Sequence, residues 1–276
     1  MSTLDERLAQ RTSLGTWTFD NRFSYRAGLG RIYGYDGSSE PPTDPGGATD
    51  PSFNNVSLLL HGDGANGSTT IVDSSPSPKT VTAFGNAQIS TAQSKFGGAS
   101  IVFDGNGDSV QTTSTDFNFS TDNFTLEGWF YYLGSSILYP AIIANNPGGY
   151  TTGAAVLHID HASYPDKLSF WAFDYSNSAP IGVTTTTIVY DQWNHFAVVR
   201  SGTALRLAYN GQIEATTTIS ASLQFNFNLP SLRIGGGTWN GANGDFPGYL
   251  DDLRITKGIA RYTTNFTPPT APFPDI

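Results

Sequence analysis

Carboxylates are the first residues to test for chemistry, and here their spacing serves catalysis poorly. Retaining glycoside hydrolysis needs two carboxyl groups about 5–5.5 Å apart, and retaining glucanases carry them in an E-x-D-x-E pattern on one strand face. The chain has four glutamates, Glu6, Glu40, Glu127 and Glu214, and none has an aspartate two residues away. It contains no cysteine, no G-x-S-x-G turn for a serine nucleophile and no phosphate-cradling loop. Gly235-Gly236-Gly237 follows a strand-like run but opens no helix, so it reads as a loop. The expectation is a protein that binds without turning over.

Metal-like clusters also fail on spacing. Asp104-Gly105-Asn106-Gly107-Asp108 copies the start of a helix-loop-helix calcium site, yet Ser109 and Thr115 stand where that loop needs Gly and Glu. It reads as a tight β-turn. In His158-Ile159-Asp160-His161, alternation puts His158 and Asp160 on one face and His161 on the other. His195 lies inside an apolar strand and reads as a packed core residue. Asp251 and Asp252 are adjacent on a strand, so they point to opposite faces and cannot together hold one ion. Strict alternation puts Asp251 on the face of Leu253 and Ile255. A carboxylate there must sit at the core's rim, hydrogen-bonded or paired with a cation, because burying it alone is costly.

Sugar recognition asks for an exposed aromatic ring beside amide or carboxylate groups. Asn145–Tyr150, Tyr164–Asp166 and the Gly/Asn-rich segment 237–246 combine both. Tyr150, Tyr164, Trp239 and Asn240 are the candidate contacts, with Trp239 foremost because its loop gives little reason to bury an indole. The alternative is that Trp239 plugs an open end of the fold.

The elements that position these residues are strands. Thirty glycines and sixteen prolines rule out long helices, while abundant Thr, Phe and Tyr favour pleated surfaces. Phe124, Leu126, Phe130 and Tyr132 alternate with Thr125, Glu127 and Trp129, giving one strongly apolar face. Ala99–Phe103 is a buried strand entering the Asp104–Gly107 turn. Trp193–Arg200 and Ala204–Tyr209 form an antiparallel pair, and Tyr209-Asn210-Gly211-Gln212 has type I′ hairpin chemistry. No helical stretches separate these strands. An all-β, antiparallel jelly-roll β-sandwich is expected, with a core large enough to need no disulfides.

Residues 247–274 (PGYLDDLRITKGIARYTTNFTPPTAPFP), with Phe96-Gly97-Gly98, Phe103-Asp104-Gly105 and Trp193–Arg200, carry a family likeness. They resemble the laminin-G-like, concanavalin A-like sandwich domain in the version found in tailed-phage virion proteins. The resemblance extends over residues 53–276. It implies that a structural calcium lies near Asp251, helped by an aspartate after the first strand. That aspartate is Asp63 in Leu60-His61-Gly62-Asp63-Gly64, and Asp73 is a further candidate. Oxygen ligands suit calcium, and no thiol is present for softer metals.

Three regions are expected. Residues 1–35 form an N-terminal docking arm opening with a short helix, where Thr3 and Glu6 have capping-box spacing and Leu4 and Leu8 share a face. Its candidate partner-docking residues are Leu4, Leu8, Trp17, Phe19, Arg22, Phe23 and Arg26. The arm is too short and glycine-broken to build a core, so its apolar groups must bury against the sandwich or another subunit. Residues 36–52 form a Pro/Gly linker and residues 53–276 the sandwich.

Charge divides unevenly. Residues 1–35 carry +2, which leaves −11 for the rest of a chain whose total is −9. So acidic a sandwich repels phosphate backbones, and nucleic acid is not an expected partner. No apolar run is long enough to span a membrane, and the N-terminus lacks the apolar core of a signal peptide. Five N-x-S/T sequons then read as a by-product of Asn- and Thr-rich composition. The expectation is a phage virion structural protein, a capsid decoration or tail-fibre-associated component made in the host cytoplasm. Its arm meets other virion proteins or further copies of the chain, and its outward sandwich meets host surface glycans. The alternative is a free carbohydrate-binding lectin or module.

Overall fold

The computed structural model describes residues 49–145, 153–174, 177–228, 230–239 and 242–276. The arm residues Leu4, Leu8, Trp17, Phe19, Arg22, Phe23 and Arg26, the linker up to residue 48, and Tyr150 and Asn240 lie outside that set. The strands begin with β1 (Val56–Leu60), β2 (Thr82–Phe84), β3 (Gln88–Ser90), β4 (Ser100–Asp104), β5 (Ser109–Thr112), β6 (Asn118–Ser120) and β7 (Phe124–Tyr132). Next come β8 (Ala141–Ala144), β9 (Ala155–Asp160), β10 (Lys167–Asp174), β11 (Asn177–Thr187), β12 (Trp193–Ser201) and β13 (Ala204–Tyr209). The chain finishes with β14 (Gln212–Thr218), β15 (Phe225–Asn226), β16 (Leu232–Ile234), β17 (Thr238–Trp239), β18 (Ala242–Asn243) and β19 (Pro247–Lys257).

Two antiparallel sheets make the expected sandwich. One runs β14-β13-β12-β7-β19-β4-β3, with β1 lying beside the second half of β19. The other runs β11-β10-β9-β8-β16-β5-β2. Phe103, Phe124, Phe130, Phe170, Phe196 and Phe225 fill the space between them, all fully buried. Each such ring contributes about 1.5–3 kcal/mol by leaving water. The hairpin between β13 and β14 turns at Asn210 and Gly211, both at positive φ (48° and 80°), as its sequence requires.

Strand β19 departs from strict alternation. Its register against β7 shifts between Asp251, opposite Trp129, and Arg254, opposite Glu127. Three steps on β19 match two on β7, so Asp252, at φ 48°, is an inserted bulge residue. The bulge moves Asp251 off the face of Leu253 and Ile255. Asp251 instead stands beside Trp129 and His195 on the outer face of the sheet.

That outer face, which carries Thr125, Glu127 and Trp129, is also covered. The segment after β19 folds back across it, bringing Ala260 and Tyr262 against Ala197, Val199 and Ala208. A charge network seals the contact. Glu127 Oε1 accepts from Arg254 Nε at 3.0 Å, and Oε2 accepts from the Tyr262 hydroxyl at 2.6 Å. Asp50 accepts from Arg254 at 3.1 Å and from both terminal nitrogens of Arg261, at 3.1 and 2.6 Å. Asp50 is buried, so the folded body begins ahead of the boundary expected at Phe53.

Candidate functional site

At the Tyr132 end of β7, three loops converge: 133–140, 161–166 and 188–192. The middle loop is built by Asp160, whose Oδ1 accepts backbone N–H groups of Ala162, Ser163 and Tyr164 at 2.9, 2.7 and 3.2 Å. Burial pushes the Asp160 carboxyl up, but the neighbouring His158 and the backbone bonds from Ser163 and Tyr164 outweigh it and hold it below the usual range. The turn therefore rests on an ionised carboxylate that presents Tyr164 to solvent. His158 Nε2 lies 3.8 Å from Asp160 Oδ2, while His161 turns away to other partners. These three residues do not converge on one point.

His161 joins the loops. Its Nδ1 meets Asp166 Oδ1 at 2.7 Å and its Nε2 meets the Tyr132 hydroxyl at 2.8 Å. A carboxylate can only accept, so Nδ1 donates, and in the neutral ring Nε2 accepts from Tyr132. Tyr190 donates its hydroxyl to the same Asp166 oxygen at 2.6 Å. Burial pushes the Tyr132 hydroxyl well above its usual range. The Tyr190 hydroxyl rises to about 12 through burial and the Asp166 charge. Both phenols therefore stay protonated donors at neutral pH. The Tyr190 ring stands edge-on to Tyr132, at 5.1 Å and 85°.

Around this polar base lies apolar surface. Leu133, Leu138, Tyr164, Val189 and Tyr190 are between 37% and 50% exposed. They account for five of the eight exposed large hydrophobic residues among those described. Clustering of this kind marks a contact surface rather than scatter. Asp166 Oδ2 has no hydrogen-bond donor among the described residues, and its side chain is 37% exposed. The ensemble offers two phenol rings, apolar neighbours and a free carboxylate oxygen.

Of the sugar-contact residues expected from sequence, Tyr164 belongs to this cluster. Trp239 pairs with Ala242 in a two-stranded ladder, and its side chain lies outside the described set, as do Tyr150 and Asn240. Tyr132, His161 and Tyr190 were not singled out as sugar contacts, and Asp166 only as the end of a segment. The signal available was an aromatic, histidine or acidic residue at or near a strand end.

The three aspartates expected at a metal are not gathered together. Asp73 is buried, and its two oxygens accept from Leu59 N, Ser75 N, Ser75 Oγ and Lys79 N at 2.7–3.0 Å. It organises a loop. Asp251 Oδ2 accepts from Lys95 N (2.6 Å) and Phe96 N (3.1 Å), while Oδ1 is buried without a partner among the described residues. Burial raises the Asp251 carboxyl to about 7, helped by the charges of Asp252 and Asp63. Asp63 is exposed, and its carboxylate lies where a side chain on Gly97 would stand. Asp63 and Asp251 thus flank one turn, residues 94–98. Asp251 Oδ1 is the one orphaned carboxylate oxygen of the three and suits a hard cation, whereas the oxygens of Asp73 are fully engaged. No cluster of three or more metal-ligating side chains occurs among the described residues.

A two-sheet antiparallel sandwich carrying its open loops at one end defines a concanavalin A-like architecture. Residues 104–259 match the Laminin_G_3 model of the concanavalin A-like lectin/glucanases superfamily, and the chain belongs to that family. Comparison with curated protein sequences gives no match. Domain 4 of AbnA, a GH43 extracellular arabinanase from Geobacillus stearothermophilus solved with arabinotriose, is similar in structure. It has a TM-score of 0.51 and 16% identity, with 75% of this chain and 94% of that one covered. The binding domain of Paraclostridial Mosquitocidal Protein 1 gives a TM-score of 0.56 at 16% identity, over 75% and 50% of the two chains. The binding domain of botulinum neurotoxin DC in complex with SialylT gives 0.54 at 16%, over 75% and 48%. This chain thus spans about half the length of the toxin binding domains. At these identities the likeness is one of fold.

Proposed function

We propose that the chain is a non-catalytic, lectin-like module that binds saccharides at the loop end built by Tyr164, Tyr190, Asp166 and His161. One observation carries the reading: the exposed aromatic and apolar side chains gather over a hydrogen-bonded His161–Asp166–Tyr190 base. Phenol rings offer flat apolar faces to a sugar ring, and a fixed carboxylate accepts its hydroxyl protons. The arabinotriose bound to the arabinanase domain and the SialylT bound to the toxin domain support saccharide binding as a use of this fold. Catalysis has no support in the residues. Glu127 is buried between Arg254 and Tyr262, where no substrate reaches it.

The finer reading is that the module is displayed on a phage particle, with residues 1–35 as its attachment arm and host surface glycans as its target. It rests on the family likeness of residues 247–274 and on the basic, aromatic arm. Asp63 and Asp251 would hold a calcium ion beside the 94–98 turn, where its charge would stabilise the packing of that turn on the sheet. A screen of the full chain on a glycan array tests the first reading, and uniform background across bacterial and host saccharides would defeat it. Deleting residues 1–48 tests the second. The shortened chain should fold and keep its glycan binding but fail to join particles, and unchanged occupancy would assign docking to the sandwich instead.

A further inference from the structure

At the opposite end of β7 lies a cleft of about 470 Å³, within the range of small-molecule pockets. Lys257 pairs with Phe124 at the start of β7, whereas Tyr132 closes its far end. Nine residues of strand separate the two, or about 27 Å at the usual rise. Asn54, Asn55, Ser57 and Ser77 supply amide and hydroxyl groups to the walls, and no aromatic ring is among the lining residues. Ring stacking, the device of the loop end, has no place here.

Charge is the distinguishing feature. Lys79 and Lys257 both line the cleft, and they are two of only four lysines in a chain of net charge −9. Asp116 is the sole acidic residue in the lining. It meets Lys79 Nζ at 3.0 Å, and both lysines hold its carboxyl below the usual range. The side chains that line the cleft therefore sum to +1. Lys79 is held in place from behind. Its backbone N–H donates to Asp73 Oδ2 at 2.7 Å, and Asp73 also ties in Leu59 and Ser75. Its side chain is 8% exposed, with Asp116 as its ion-pair partner. Lys79 Nζ is itself buried, and beyond the Asp116 ion pair it has no hydrogen-bond acceptor among the described residues, so protons of its ammonium are left unmatched beside the cleft. Asn55 is fixed likewise, its Nδ2 donating to Lys257 O at 3.1 Å.

We propose that this cleft binds a carboxylated sugar residue, a uronic or sialic acid unit. A monoanion matches the single excess positive charge, and its ring hydroxyls match the surrounding amide and hydroxyl groups. A phosphate dianion would leave the cleft negatively charged within a protein that already repels polyanions. The site is independent of the loop end and does not rest on it.

Amide-resolved NMR titration of the full chain at low salt tests this, with D-glucuronate and N-acetylneuraminate as probes. D-glucose serves as the neutral control and inorganic phosphate as the competing anion. At least one acid should shift the amides of residues 54–57, 77–79 and 257–258, and the arm that responds identifies the source of the carboxylate. Glucose should leave them in place. Lys257→Gln preserves the Lys79–Asp116 pair and should weaken the acid's binding about tenfold, as loss of one charge-assisted contact predicts. Lys79→Gln should do the same where its melting temperature shows a folded protein. Failure of both acids to shift these amides would overturn the proposal. So would equal response to glucose, stronger response to phosphate, or wild-type affinity in Lys257→Gln.

Discussion

His161 Nδ1 donates to Asp166 Oδ1 across 2.7 Å, and the same oxygen receives the Tyr190 hydroxyl. One atom thus binds the 161–166 loop to the 188–192 loop, and the site's geometry depends on it. Asp166→Ala should leave both donors without their acceptor and cost about 1–2 kcal/mol, with the loss read as a lower denaturant midpoint. Saccharide binding should fall with it, while Tyr190→Phe, which keeps the ring, should lose much less.

His195 provides the pH prediction. Burial, with the charges of Arg254 and Lys95 behind it, pulls its imidazole down to about 3. The unfolded chain therefore takes up a proton near pH 6.5 that the native state refuses. Stability from this residue is complete above about pH 6.5 and is lost toward pH 3, at about 1.4 kcal/mol per pH unit. Asp251, raised to about 7, slopes the opposite way over much of the same window. The informative quantity is the difference between variants. His195→Phe keeps the edge-on contacts to Trp129 and Phe266 and removes two ring nitrogens that have no partner among the described residues. It should match or exceed wild-type stability at pH 7 and resist acid better. An unchanged acid slope would contradict the assignment.

Asp50 tests the buried network. Its burial opposes ionisation, but Arg261 and Arg254 outweigh that and hold its carboxyl low. Asp50→Ala strands two guanidiniums and should cost about 3–5 kcal/mol. A chain starting at Phe53 should suffer equally, whereas one starting at Thr49 should melt like the full protein. Equal melting of the two truncations would show that the network adds little.

Calcium can be tested through stability. If Asp63 and Asp251 hold it, saturation at one hundred times Kd should add about 2.7 kcal/mol, reversed by chelator and absent in Asp251→Ala. Identical melting curves with calcium and with chelator would remove the metal from the account.

The fold was legible because its signals are local. The Phe124–Tyr132 alternation, the Ala99–Phe103 run and the Asn210-Gly211 turn each fix their element within a few residues. The Asp252 bulge was legible in principle, since Leu250, Leu253 and Ile255 are spaced three and then two, which a regular strand does not allow. Assuming strict alternation put Asp251 on the wrong face. Asp50 was hidden inside a linker-like composition, because nothing local reveals that its partners lie two hundred residues away at Arg254 and Arg261. The loop-end site was legible only through Tyr164 and Asp166. Tyr132, His161 and Tyr190 join it through pairing between distant strands, which one-dimensional spacing does not encode.

The most direct test of the central claim is calorimetric titration of a neutral saccharide selected on the array, comparing wild type with Tyr190→Ala and Tyr164→Ala at matched foldedness. Loss of a ring contact should weaken binding about tenfold in each variant, with Tyr164→Ala melting near wild type and Tyr190→Ala somewhat lower because its bond to Asp166 is lost. Wild-type affinity in both variants would contradict the assignment of the Tyr132 end of β7 as the saccharide site.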